Sequence, residues 1–159
     1  MHCKEPLKQF AQDQLKVLDP TGVRQRLFSK TNKDGAQVGD ILLVRQRGGD
    51  PFSGVCINIR RRSQDTAILL RNHLTRVGVE MWFKVFSPNV EGIEVVQRRE
   101  KRARRAKLYY MRNEKHDRGS VDNVVTAYLK RRQALRAGDS KGVKGRGANA
   151  NKRASAKSK

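Results

Sequence analysis

Acidic residues are scarce in this 159-residue chain: 15 Asp and Glu stand against 36 Lys and Arg, a net charge of +21. That excess goes well beyond what solubility asks of a small domain and calls for an anionic partner. Cysteine is nearly missing as well. Cys3 and Cys56 lie far apart, with no second pair and no His at metal-ligand spacing, which argues against a zinc site. Cys56, between Val55 and Ile57, reads as a small buried hydrophobe in a reducing compartment. There is no apolar run of membrane-spanning length, no lipidation signal and no basic amphipathic helix with bulky apolar residues opposite its charges, so membrane insertion is not expected. The N-terminus lacks the apolar core of a signal peptide, and Glu5, Asp13 and Asp19 spoil the acid-poor character of a transit peptide, leaving no legible targeting segment.

The charge that is present is unevenly placed. Residues 1–97 carry 15 basic and 10 acidic side chains, whereas residues 98–159 carry 21 and 5. The first part can fold as an ordinary domain; the second is mostly contact surface, held extended by self-repulsion until phosphates neutralise it. Within it, residues 98–107 read Arg98-Arg99-Glu100-Lys101-Arg102-Ala103-Arg104-Arg105-Ala106-Lys107, seven cations in ten positions with a single acid. A solvated helix face would mix its signs to gain i,i+4 pairs, so this run predicts phosphate binding instead. Leu108-Tyr109-Tyr110-Met111 follows directly. The tyrosines suit stacking on splayed bases, but four bulky residues in a row also anchor a segment, and docking of at least one of them onto the domain is expected.

Along the chain, residues 4–18 place Leu7, Phe10, Ala11, Leu15 and Leu18 at helical spacing, with Pro6 in the first turn and Asp19-Pro20 as a stop. A short helical stretch after Thr21 carries Leu27 and Phe28 toward the same core, and the polar run from Ser29 to Gln37 reads as a loop. Strands are predicted near 39–46, 53–61, 65–71, 79–86 and 92–97, with turns at Gly48-Gly49-Asp50-Pro51, Asn72-His73 and Ser87-Pro88-Asn89. Five short strands with no helix between them imply a small antiparallel barrel or sandwich. A further helix is predicted from Val121 to Arg136, capped by Ser120 and stopped by Gly138, with Val121, Val124, Val125, Tyr128 and Leu135 on one face. Its basic end adds Arg131 and Arg132 as candidate RNA contacts. Residues 138–159 hold seven cations and one acid and should be disordered alone.

From about Gln37 to Arg112 the chain resembles the bacterial-type large-subunit ribosomal protein nineteen family, including its mitochondrial members. The resemblance is carried by Val38-Gly39-Asp40, Phe52-Ser53-Gly54-Val55, Gly78-Val79-Glu80, Phe86-Ser87-Pro88, Ile93-Glu94-Val95 and Arg105-Ala106-Lys107-Leu108-Tyr109-Tyr110-Met111-Arg112, in that order. It implies a mainly β fold, an SH3-like antiparallel barrel with a basic extension, placed on large-subunit rRNA near the subunit interface. It also implies neighbouring large-subunit proteins, number fourteen among them, and a bridge to small-subunit rRNA; a homo-oligomer is not expected. Carried over by position, Gly39 and Gly54 match backbone-shape positions, Arg98, Arg99, Arg104, Arg105, Lys107 and Arg112 match the basic arm, and Arg60, Arg61 and Arg62 match a basic part of the barrel. Lys101, Arg102, Tyr109 and Tyr110 complete the candidate RNA contacts. Glu100 stands where the family pattern has Gly, and the last forty or so residues fall outside the resemblance. Such peripheral extensions favour the mitochondrial matrix over a bacterial cytoplasm.

The expected organisation is therefore a helical segment and loop over 1–37, the barrel over 38–97, the RNA-binding arm over 98–119, a helix over 120–137 and a basic tail over 138–159. No catalytic constellation forms around His2, His73 or His116, and the first of these readings of function is a structural ribosomal constituent without cofactor. His73, beside Asn72, is expected in a turn. The glycines of 142–147 lack the preceding strand and the Gly-Lys-Ser/Thr ending of a phosphate loop. The competing readings are a free RNA-binding accessory factor of translation or transcription and an RNA-modifying enzyme recruited by the basic arm.

Overall fold

The computed structural model describes residues 5–137, so Gly138 as the expected helix stop and the expected tail at 138–159 lie outside the described residues. The chain divides into two compact units, the first ending at Asn123 and the second starting at Val124.

In the first unit, the runs rich in Val, Ile, Leu and Phe fold as five antiparallel strands: β1 (Ile41–Gln46), β2 (Gly49–Arg60), β3 (Ala67–Leu74), β4 (Val77–Lys84) and β5 (Val90–Gln97). They form one sheet in the order β4-β3-β2-β1-β5. Phe83, Val85, Phe86 and Val90, around the β4–β5 connection, share one core with Leu42, Val44, Phe52, Cys56, Ile59, Ile68 and Leu70. The sheet thus curls both of its ends around a single interior, as the predicted small barrel requires. Register shifts in β1 opposite both neighbours and in β2 between Cys56 and Asn58 supply the bends.

Cys56 is fully buried in that core, and burial first, with the nearby Asp40 charge, pushes its thiol up to about 12. It behaves as the inert hydrophobe that its neighbours suggest.

Two turns differ from expectation. The β1–β2 turn is only Arg47-Gly48, because Gly49 already pairs with Gln46; Pro51 is tolerated inside β2 since it sits at the bulge between Val44 and Gln46. Asn72 and His73 are not in a turn but in β3, paired with Val79 and Gly78. The turn falls on Thr75-Arg76, both with left-handed φ (50° and 66°) as a two-residue hairpin demands. Neither is a residue that announces such a turn, and Asn72, which normally would, has its side chain buried and in use elsewhere.

The N-terminal helix α1 (Pro6–Leu18) forms with Pro6 at its start, but its apolar face does not enter the core as expected. Leu7, Phe10 and Val17 are 84%, 57% and 81% exposed, and only Leu15 packs in part against the core. The helix α2 (Val23–Phe28) does deliver Phe28 and Leu27. Buried Asp19 caps it by accepting from the Gln25 N–H, and Arg24 ties it to the carbonyls of Val85 and Ser87.

Alternation of buried and exposed residues, the signature of a half-solvated sheet, is missing in the central strands: Ile41–Val44 and Phe52–Ile59 are buried throughout. Ile41, Leu43, Val55 and Leu69 alternate with the core residues and face the other side of the sheet. There the chain after β5 returns over them with buried Leu108, Met111 and Val121, and the Leu108 N–H donates to the Ile57 carbonyl at 2.9 Å. Gly54 sits where β2 and β3 approach closely: a Cβ there would lie 2.8 Å from the Arg71 carbonyl oxygen. Gly54→Ala is expected to lower stability by about 2–3 kcal/mol through backbone displacement, read as a drop in the urea midpoint at unchanged slope.

In the second unit a helix, α3, runs over residues 122–137 from its start in the first. Val125 is buried, whereas Leu135 is 69% exposed and does not share the expected apolar face.

Candidate nucleic-acid interface

Beyond Gln97, which pairs with Ile41, the chain leaves the sheet without forming a helix. Residues 98–107 have no regular structure, and only short 3-10 turns follow at Tyr109–Arg112 and Glu114–His116. A helix would set like charges one turn apart along this run, with Glu100 alone to relieve them.

The run is fastened at its start by Asp40, 1% exposed at the entry to β1. Its carboxylate accepts from the backbone N–H of Gln37 (2.9 Å) and Arg99 (3.0 Å) and from the Arg98 guanidinium (3.3 Å). Arg98 also donates to the carbonyls of Gly35 (2.6 Å) and Asp34, and Arg99 to the Val38 carbonyl (2.9 Å) and the Gln37 side chain. The intervening Gly39 adopts φ +100°, a left-handed backbone that glycine alone accepts without strain.

The far end is fastened at Leu108 and again by a charge cluster. The Tyr109 hydroxyl accepts from Asn58 Nδ2 at 2.9 Å, and the Arg112 guanidinium lies 4.7 Å from the Tyr109 ring centre. Arg112 also makes a two-point contact with Glu80 (2.9 and 2.8 Å). Beneath it, Arg71 of β3 bridges Glu80 (3.0 Å) and Asp117 (2.5 Å), and His73 Nε2 lies 2.7 Å from the same Asp117 oxygen. Burial acts to raise the Asp117 pKa, but hydrogen bonds from Arg71, His73 and the Gly119 N–H, with the Arg71 charge, outweigh it and hold the carboxyl well below the usual range. The Arg112 hydrogen bond, against burial and with Arg71, likewise lowers Glu80. Next to this cluster, buried Asn72 accepts from the Val121 N–H at 3.2 Å, and the Ser120 hydroxyl accepts from the Asp122 N–H at 3.3 Å, the capping contact foreseen for Ser120.

Between the two fastenings, Lys101, Arg102, Arg104, Arg105 and Lys107 are exposed and make no hydrogen bond or ion pair within the described residues. A cavity of about 660 Å³ opens on one flank of this loop, floored by Gly39, Val55, Leu108 and Met111 and rimmed by Arg99, Glu100, Lys101, Arg102, Arg104, Arg105, Tyr110 and Arg118. A second, of about 400 Å³, opens on the other flank beside Val38, Asn58 and Arg61. An exposed chain of unpaired cations with a hollow on each side is suited to polyanion backbones passing on both flanks.

The predicted site residues therefore fall into separate groups. Lys101, Arg102, Arg104, Arg105 and Lys107 are exposed and have no partner among the described residues. Arg98, Arg99 and Arg112 spend their guanidinium groups on the protein, and Arg61 donates to the Phe28 carbonyl at 2.8 Å. Arg60 stacks 5.1 Å from the Trp82 ring centre, and Arg62 is exposed. Tyr109 is docked, as expected of at least one tyrosine, while Tyr110 is 44% exposed with its ring edge-on to His116. In the second unit, Arg131 is exposed and Arg132 half-buried. Asp40, Asn58, Arg71, Glu80 and Asp117 were not foreseen. The signal of the first four in the sequence is faint: polar or charged residues inside or beside apolar strands, where a partner must exist; Asp117 carries none.

A family described as Ribosomal protein L19 matches residues 33–123. The chain is 56% identical over 142 residues to the large ribosomal subunit protein bL19m of Neurospora crassa, covering 89% of this chain and 54% of that protein. It is 31% identical over 139 residues to bL19m of Schizosaccharomyces pombe, covering 82% and 76%, and 47% identical over 62 residues to bL19 of Thermus thermophilus, covering 39% and 41%. The chain thus spans about half the length of the Neurospora relative.

Proposed function

From the premise that the chain belongs to the ribosomal protein L19 family, we propose that it is a structural constituent of the large ribosomal subunit that binds rRNA through the loop at 98–107. The carrying observation is the row of exposed cations, unpartnered among the described residues and held between two fixed ends. In a domain of mixed charge such a row has no internal use, and laid between RNA helices it screens their repulsion. Recognition is of backbone and shape, since the deep major groove of RNA hides its base edges. The barrel over 38–97 is the rigid base, the arm over 98–119 the contact element, and Arg62 adds charge at the barrel's periphery; Arg131, in the second unit, is a separate candidate contact. Arg98, Arg99 and Arg112 position the arm and touch phosphate only with what donors they have left.

The mitochondrial ribosome is the setting, a reading supported by the designation bL19m of the two fungal relatives against bL19 for the bacterial one. A place near the subunit interface, beside large-subunit protein fourteen and bridging to small-subunit rRNA, accompanies this proposal by family resemblance. Nothing in the described residues has helical length and apolarity enough to cross a membrane. The test is a density gradient of mitochondrial lysate with a high-salt wash. The protein should remain with large subunits; quantitative loss to the top fractions would make it a dissociable factor.

A further inference from the structure

The cavity beside the loop has a feature that phosphate binding does not use: its floor is apolar. Val55, Leu108 and Met111 are buried side chains of the second sheet face, and they close the bottom of a hollow whose rim is cationic. Gly39 lies in the floor, where a Cβ would come only into ordinary contact with the Arg99 side chain (3.4 Å) and Leu108 Cδ1 (3.7 Å). At the rim, Tyr110 is 44% exposed, and the edge-on contact with His116, ring centres 5.6 Å apart, fixes its orientation. An apolar recess with an aromatic ring at its mouth and cations around it matches one RNA element, a base out of its stack with phosphates on either side.

Resting on the reading that this chain binds rRNA, we propose that the cavity receives a single extruded nucleobase. The base lies over Val55, Leu108 and Met111 with a face or edge against Tyr110, and Arg102, Arg104 and Arg105 take the flanking phosphates. Glu100 is a lone carboxylate on this rim and leaves it strongly positive. A duplex, whose bases are stacked inside, meets only the rim. An acidic peptide would also find cations here, and it forms the competing occupant.

The test compares binding of the full chain to two RNA hairpins of equal charge, one with an uninterrupted stem and one with a single unpaired 2-aminopurine in it. The bulged RNA should bind roughly tenfold more tightly, with a change in 2-aminopurine fluorescence on binding. Ala103→Trp, at a half-buried loop position lining the cavity, fills the recess. It should abolish the preference for the bulge, read as the ratio of the two affinities. Tyr110→Ala should remove most of the preference as well. Equal binding of the two RNAs, or a preference that survives Ala103→Trp, overturns the base pocket while leaving the ribosomal reading intact. Binding to neither RNA overturns the reading that the loop binds rRNA.

Discussion

Asp117→Ala should destabilise the protein by about 3 kcal/mol and release the arm from the sheet. The side chain is only 11% exposed and accepts from Arg71, only 12% exposed, and from His73 at 28%. Removing it leaves the Arg71 cation half-paired beneath the arm, and a buried ion pair broken on one side costs more than the pair itself contributes. The partial access to water keeps the expected loss at the low end of that range. Amide exchange should localise the effect, with protection falling from Leu108 to Asp122 while β1, β2 and β5 keep theirs. An acid titration gives a second readout. Asp117 and Glu80 both have folded pKa values below the unfolded ones, so their ionisation stabilises the fold fully above about pH 4 and is lost as the pH falls through the depressed values. Asp117→Ala should flatten the acid limb of the stability curve; an unaltered limb would mean that the cluster does not hold the arm.

The double replacement Arg104→Ala, Arg105→Ala should act in the opposite way, leaving stability within about 0.5 kcal/mol of the parent, since both side chains are exposed and bond to nothing among the described residues. RNA affinity should fall roughly tenfold per arginine, and the dependence of log K on log salt should flatten by about two at most. The loss should be uniform across RNA sequences, because phosphate contacts carry no base information. A parent-like salt slope would show that these two arginines face solvent in the complex.

The strands were legible because β-branched and aromatic runs between Gly, Asp and Pro leave few other solutions, and the continuous burial of Ile41–Val44 is written in their unbroken apolarity. What was misplaced depended on side chains that act away from their neighbours. Asn72-His73 looks like a turn, yet Asn72 serves the backbone of Val121 and His73 serves Asp117, 49 and 44 residues on. The apolar spacing of α1 predicts a helix correctly but says nothing of what covers Leu7 or Phe10. In the site, the basic run was plain as composition. Which of its cations are spent internally was not, because Arg98 meets Gly35 across 63 positions and Arg71 meets Asp117 across 46. Periodicity has no reach over such distances.

The loop at 98–107 is tied at Asp40 before it begins and at Ile57 where it ends. Ordering a backbone costs on the order of 1–2 kcal/mol per residue, and a free basic tail meets that cost only when it finds its RNA. Here much of the restriction is completed during folding of the protein. Docking should therefore lack the large negative heat capacity change of coupled folding and binding, so that this part of the chain meets its site as a preorganised tool rather than as a strand that has yet to find its shape.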